Sequence, residues 1–298
     1  MHKIKHPEIN YVCPVALTDI YKKYIASLKA IYSEGEATAI TQIIFLHFTG
    51  LSRPQLALQE DEHADETATA KLEDSFEQLL RHVPVQYITG NTRFFSLNFL
   101  VNKHVLIPRP ETEELVQEVL VYLKDIENKK IIDIGTGSGC IAVSIKKNAP
   151  ASEVMAVDIS EPALETALAN ALANQVEVEF RNIDFLEEKN YDPLPIFDVI
   201  ISNPPYIREN EKEILDRNVV QHEPHLALFV PQNDPLIFYK KIKVFAEKHL
   251  EKSGRIFLEV HENLAKQTAA VFPAPQYNTV IKKDISGKER MLIIARCP

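Results

Sequence analysis

The sequence predicts an α/β protein: a doubly wound, mostly parallel sheet with helices on both faces, preceded by a small helical domain and a linking β-hairpin. Three observations predict it. Short apolar runs alternate with amphipathic stretches from residue 130 to residue 295, the pattern of a parallel sheet assembled from strand–helix–strand units. Glycine is scarce, 8 in 298 residues, yet Gly135, Gly137 and Gly139 fall within five residues directly after one such run, where the backbone must be bare. The first 83 residues lack this alternation and carry apolar residues at three- and four-residue steps instead.

Taken in order, Leu17, Tyr21, Tyr24, Leu28 and Ile31 form one face of a first helix. Ile40, Ile43, Ile44 and His47 predict a second, and Leu72, Phe76, Leu79, Leu80 and Val83 a third. The acidic residues 60–66 between them read as a solvated loop or helix start. Residues 1–83 are therefore expected to form a helical domain; from Met1 to Pro84 there are 8 basic and 12 acidic residues, a net of −4. Residues 84–108 read as a hairpin linker, because 86–90 and 92–101 place β-branched and aromatic residues around turn formers. Residues 109–298 hold the sheet. Runs at 130–134, 154–157, 176–180, 197–201 and 254–260 predict five buried parallel strands. Helices are expected from near Cys140, over 161–174 and over 235–250, and 279–282 and 291–295 close the sheet.

Composition narrows the function classes. Apolar residues make up 45% and charged residues 25%, which argues for a packed globular chain. The net charge of −9 argues against bulk nucleic-acid binding, though a local basic groove stays open. Cys13, Cys140 and Cys297 are odd in number and far apart, the usage of a reduced intracellular protein without disulfides or a zinc site. His222 and His225 flank Glu223-Pro224 without a third ligand nearby, so no metal is expected. Neither a signal-peptide core nor a membrane-length apolar run is present. A cytoplasmic location is expected.

The first strand runs into Asp133-Ile134-Gly135-Thr136-Gly137-Ser138-Gly139, and Asp158 closes the second strand 25 residues after Asp133. Glycines let a ligand approach the turn, the following helix offers free N–H groups, and a carboxylate at the next strand end accepts both hydroxyls of a ribose. The third glycine comes one residue early for the dinucleotide fingerprint, and an acid precedes the first. A pyrophosphate would be repelled there, whereas the amino group and sulfonium of S-adenosylmethionine suit it. Phe185, after the third strand, is either a stacking partner for adenine or a core residue.

The fourth strand ends in Asn203-Pro204-Pro205-Tyr206. Two prolines lock the backbone and remove two N–H donors. The Asn203 side-chain oxygen, the Pro204 carbonyl and the Tyr206 ring then suit a planar –NH2 group, with two N–H protons to hold and a face to stack. Holding both protons aims the nitrogen at a methyl group and favours a more electron-rich nitrogen.

At this tetrapeptide the chain resembles the release factor glutamine methyltransferases, the HemK-like protein methyltransferases. Residues 86–90, the segment Leu106-Ile107-Pro108-Arg109-Pro110-Glu111-Thr112-Glu113, Asp133 to Gly139, Asp158, Asp184-Phe185, Glu223-Pro224 and Asp284 to Arg290 follow the order of that family over essentially the whole chain. The resemblance implies a Rossmann-like methyltransferase sheet, S-adenosylmethionine as methyl donor with S-adenosylhomocysteine as product, and transfer to the side-chain amide nitrogen (N5) of the glutamine in the Gly-Gly-Gln motif of class I release factors. It implies cofactor contacts from Asp133, Gly135, Thr136, Gly137, Ser138, Gly139, Asp158, Phe185 and Asn203. Asn203, Pro204, Pro205 and Tyr206 are implied to hold the glutamine, and the helical domain to engage the release factor. A ribosomal-protein glutamine or an exocyclic amino group of a nucleic-acid base presents the same –NH2 and stays open as acceptor. Arg109 and Glu111 either line the pocket mouth or pair with each other to pin the hairpin. Residues 231–236 lack the glycines the family usually has there.

Overall fold

The computed structural model describes residues 16–58, 65–124 and 126–297. The expectations for Cys13, for the N-terminal segment and for acidic residues 60–64 lie outside these. The chain divides into two compact units, residues 1–89 and 90–298.

The first unit is helical: α1 (Leu17–Leu28), α2 (Glu34–Thr49), α3 (Arg53–Leu58), α4 (Glu66–Leu80) and α5 (Val85–Thr89). Ser33 caps α2 by accepting from Glu36 N–H, Gly50 ends it in the left-handed region, and Asp65 caps α4 by accepting from Ala68 N–H. Leu17, Tyr21, Tyr24 and Leu28 of α1 are buried with Ile40, Ile44, Leu72 and Leu79 in one core. Ile43 and Leu80, expected on the buried faces, are exposed.

The second unit opens with a hairpin, β1 (Asn91–Phe94) and β2 (Leu97–Leu100), closed by Phe95 and Ser96 at positive φ, a two-residue turn that matches strand twist. Residues 86–90, expected to be extended, are largely helical in α5: Val85 and Thr89 face the helical core or bond within their own turn, which overrides local β propensity. The hairpin is not a separate linker with residues 84–89. Asn170 accepts from Leu100 N–H and donates to Leu100 and Ser138 carbonyls, and Glu113 accepts from Phe95 N–H. These bonds bind the hairpin into the sheet unit.

After it come α6 (Pro110–Leu123), β3 (Lys130–Ile134), α7 (Cys140–Asn148), β4 (Glu153–Asp158), α8 (Glu161–Ala173), β5 (Glu179–Asn182), β6 (Phe197–Ser202), β7 (Ile207–Arg208), α9 (Arg217–His222), α10 (His225–Leu228), β8 (Phe229–Val230), α11 (Ile237–His249), β9 (Leu250–Glu259), α12 (Ala265–Ala269), β10 (Tyr277–Lys283) and β11 (Glu289–Arg296). The seven-stranded sheet has the order β10-β11-β9-β6-β3-β4-β5. All pairs from β9 to β5 are parallel, and only β11 runs against its neighbours. Successive side chains alternate between two cores. Ile132, Ile134, Ile200 and Ile256 pack on α11, while Ile131, Val199, Ile201 and Phe257 pack with α6 and α7. Each fully buried residue of this kind contributes roughly 1.5–3 kcal/mol.

The third parallel strand is displaced from the predicted 176–180. Gln175 turns the chain through positive φ on leaving α8, and pairing with β4 starts only at Glu179 opposite Met155. Val176, Val178 and Phe180 still face the second core, which produced the alternating pattern. The fifth strand begins at Leu250, four residues before the expected start. From β3 the chain steps to β4 and β5 on one side and returns to β6 on the other. The crevice at the carboxyl ends of β3 and β6 is thus the switch point where ligands bind in open α/β sheets. No described helix is long and apolar enough to cross a membrane.

Candidate active site

Beyond Ile134 the three glycines take φ of 74°, 54° and 78°. A Cβ at Gly135 or Gly137 would meet nothing within 4 Å, whereas one at Gly139 would press on Ala167 of α8 at 3.0 Å. Two glycines therefore leave an open floor for a cleft, and the third lets α7 start against α8. No side chain caps α7, so its N-terminal end keeps its positive dipole for a ligand.

Asp158, at the end of β4, lines this cleft with Thr136 and Ser138. Its Oδ2 accepts from Gly137 N–H at 2.8 Å and its Oδ1 from Ser160 N–H at 2.9 Å. Each oxygen keeps acceptor capacity for a further donor. Burial holds this carboxyl above the usual carboxylate range, against the pull of those N–H groups. Asp133 sits deeper than the sequence suggested. It is fully buried and absent from the cleft lining. Its Oδ2 accepts the Thr136 hydroxyl at 2.6 Å, while its Oδ1 has no partner among the described residues. Burial, opposed by the Thr136 hydroxyl and the Ala142 N–H and reinforced by the Asp158 charge, pushes its carboxyl up to about 7. Phe185 is 5% exposed and packs against Tyr191 and Phe245 in the core, although it also contributes to the cleft wall.

A second cavity lies on the other side of Asn203 and Pro204, which belong to the walls of both. It is lined by Tyr206, Glu111, Glu259, His261 and Arg290 among others. Pro205 lines only the first cavity. Asn203 Nδ2 donates to Thr112 Oγ1 at 3.1 Å, and Thr112 donates to Glu259 Oε2 at 2.7 Å. The Tyr206 hydroxyl donates to Glu259 Oε1 at 3.2 Å, and its ring meets His261 edge-on at 5.9 Å between centroids. Burial holds the Glu259 carboxyl above its ordinary value, opposed by the Thr112 and Tyr206 hydroxyls and by Arg290. Burial also pushes the Tyr206 phenol up, so it stays protonated at neutral pH. His261 is held below its ordinary 6.5 by burial, and its Nδ1 accepts from Asn263 N–H at 3.2 Å. The neutral ring then carries its proton on Nε2 and offers no base there.

Arg109 does not pair with Glu111. It donates to Glu223 Oε1 at 2.6 Å, and Glu223 Oε2 accepts from Ile107 N–H at 3.1 Å. Glu223 is 4% exposed, so this buried acid clamps the segment that leads into α6, while Glu111 faces the second cavity. Residues 231–236 close a turn by an Asp234 N–H to Pro231 carbonyl bond of 3.1 Å, with none of them at positive φ. The missing glycines are therefore not required. No group of three or more metal-binding side chains occurs among the described residues. Sequence reasoning missed the parts played by Thr112 and Glu259. Their signals were a hydroxyl inside the 106–113 motif and an acid closing the apolar run Ile256-Phe257-Leu258.

A family model described as "Methyltransferase small domain" matches residues 113–227, so fold and site together define a methyltransferase. A second model, "PrmC N-terminal domain", matches residues 19–90. The release factor glutamine methyltransferase of Flavobacterium psychrophilum is 42% identical over 91% of this chain and 95% of its own length. That of Bacteroides thetaiotaomicron is 37% identical over 91% and 96%. The chain belongs to the release factor glutamine methyltransferase family. Among solved structures, the hMettl16 catalytic domain in complex with MAT2A 3'UTR hairpin 6 has a TM-score of 0.50 at 17% identity, covering 78% of this chain and 82% of that one. That likeness concerns the fold alone.

Proposed function

We propose that the protein transfers a methyl group from S-adenosylmethionine to the side-chain amide nitrogen of the glutamine in the Gly-Gly-Gln motif of class I release factors. The observation that carries this reading is the shared wall: Asn203 and Pro204 belong both to a glycine-floored cleft and to a second cavity that holds Tyr206 and Glu259. The cleft fits the methyl donor. Gly135 and Gly137 leave room for it, and Asp158 retains acceptor capacity for two ribose hydroxyls. When bound, S-adenosylmethionine supplies an electrophilic methyl group on a sulfonium. From the second cavity, the Asn203 side-chain oxygen and the Pro204 carbonyl accept the two amide protons, and Tyr206 covers the amide face. Orientation of this kind supplies up to ~7–11 kcal/mol in favourable cases. No strong base is needed, because the proton leaves after transfer.

The reading places the enzyme in the cytoplasm and gives the helical unit the task of engaging the release factor. The test is transfer of labelled methyl groups to purified release factor, to the same factor with its Gly-Gly-Gln glutamine replaced by alanine, to ribosomal protein and to nucleic acid. Label on the first alone is expected. Label that persists without the glutamine, or that appears only on ribosomal protein or nucleic acid, overturns the assignment. Residues 90–298 alone should retain cofactor binding and lose most transfer to the intact factor.

A further inference from the structure

The mechanism above needs the Asn203 amide to present its oxygen, not its nitrogen, to the incoming –NH2 group. Nothing in the tetrapeptide itself decides this, because a 180° turn of the amide exchanges the two ends at little steric cost. The decision comes from behind the wall. Glu259 is 2% exposed and receives two hydroxyl donors, Thr112 on Oε2 and Tyr206 on Oε1. A carboxylate only accepts hydrogen bonds, and a threonine hydroxyl has one proton to give. With that proton engaged by Glu259, the Thr112 oxygen can only accept, and the group that meets it at 3.1 Å is Asn203 Nδ2. Among the described residues Asn203 Oδ1 has no hydrogen-bond partner, and it is not sealed in. Turning the amide would set its oxygen against an acceptor on one side and its –NH2 against the substrate's –NH2 on the other, losing both bonds.

We propose that Thr112 and Glu259 are positioning residues of the transfer: a hydroxyl–carboxylate relay that fixes which end of the Asn203 amide faces the substrate and, through the same carboxylate, anchors Tyr206. The proposal rests on the reading of the preceding subsection. It also assigns a task to the 106–113 segment, whose Thr112 reaches Glu259 across 147 residues of sequence. A buried carboxylate is weak evidence of stabilisation in its own right, since well-packed apolar groups of similar volume often serve as well or better. Here one of its two donors is Tyr206, which flanks the target, and the other is Thr112, which holds Asn203.

Thr112→Val keeps the volume and removes the relay. Its kcat should fall tenfold or more, while KM for release factor and Kd for S-adenosylhomocysteine stay within threefold. Thr112→Ser, which restores the hydroxyl, should return kcat to within threefold of wild type. A Thr112→Val enzyme with wild-type kcat, or a serine variant as impaired as the valine one, overturns the proposal. If Thr112→Val fails to fold, Glu259→Gln carries the same comparison, because its –NH2 can turn the relay around. A tenfold loss of kcat at unchanged Kd supports the relay, and an unchanged kcat overturns it. A wild-type protein inactive on release factor sinks the function reading instead. The relay is then judged by nuclear magnetic resonance, on the side-chain –NH2 signals of Asn203, assigned by their absence in Asn203→Ala. Their exchange with water should be at least tenfold slower in wild type than in Thr112→Val, or than in Glu259→Gln if the valine variant does not fold. Equal exchange overturns the relay whatever the substrate.

Discussion

The two cavities that meet at Asn203 and Pro204 are built in opposite ways. The cleft after β3 is made from backbone: glycines at positive φ, an uncapped helix end and one carboxylate steadied by two N–H groups. The cavity beyond the wall is lined by side chains, Tyr206 and Glu259 with Arg290 and His261 beside them, and Glu259 is fixed in turn by Thr112, which lines the first cleft. A backbone site depends on a few local conformations, and each loss is felt in binding or folding. A side-chain site depends on partners brought from distant strands and helices, and its failures appear in the rate.

The largest effect that would sharpen this contrast is Asn203→Ala. Losing one preorganised acceptor should lower single-turnover rates ~10²-fold or more at saturating methyl donor, with Tm nearly unchanged. Normal turnover would make Asn203 a plain turn residue and dissolve the distinction. On the backbone side, Asp158→Ala should weaken binding of S-adenosylhomocysteine by ~1.5–3 kcal/mol, read by calorimetry. An unchanged affinity would remove the ribose contact from the account.

Gly139→Ala probes folding rather than binding. Its methyl group would meet Ala167 at 3.0 Å from a residue at φ 78°, and strain of this kind costs about 1–3 kcal/mol. A drop in Tm of roughly 2–4 °C per kcal/mol is expected. The wild-type Tm in this variant would show that α7 and α8 adjust freely.

Asp133→Asn tests the buried acid through pH. Its carboxyl stands near 7 in the folded protein against an ordinary 3.8. The folded state therefore holds a proton that the unfolded state has released, and wild-type stability declines as pH rises between those values. The asparagine variant escapes this decline. Its advantage in Tm should be near its minimum at pH 4, grow towards pH 7 and then level off; a pH-independent difference contradicts the burial argument. Smallest of all, Phe185→Leu should cost about 1 kcal/mol of stability as a core change, with affinity for S-adenosylhomocysteine within threefold. A tenfold loss of affinity would restore the ring as an adenine platform.

The same contrast explains what could be read in advance. The strand–glycine–helix turn and the strand-end Asp158 lie within 26 consecutive residues, so local pattern was enough to find them. So was Asn203-Pro204-Pro205-Tyr206, because two prolines after an apolar run leave few alternatives. A doubly wound, mostly parallel sheet was implied by alternation, while its strand order and the strand edges at 179 and 250 were not, because pairing partners decide where a strand lies and begins. Glu259 and Glu223 stayed hidden as working residues. Glu259 meets Thr112 across 147 residues of sequence and Glu223 meets Arg109 across 114, and only the folded sheet brings them together. Residues 86–90 misled through β-branched and aromatic content that a short helix on the helical core absorbs.

The shared wall also governs traffic. Two ligands that approach Asn203 and Pro204 from separate cavities do not have to queue behind one another. On the proposed reading, spent cofactor would leave by the cleft while the protein substrate stays seated in the second cavity. The methyl group alone has to pass from one compartment to the next. A synthetic inhibitor that tethers both ligands must therefore be narrowest where it runs past the Asn203 amide, and a linker bulkier than a short alkyl chain there would be stopped by the wall itself.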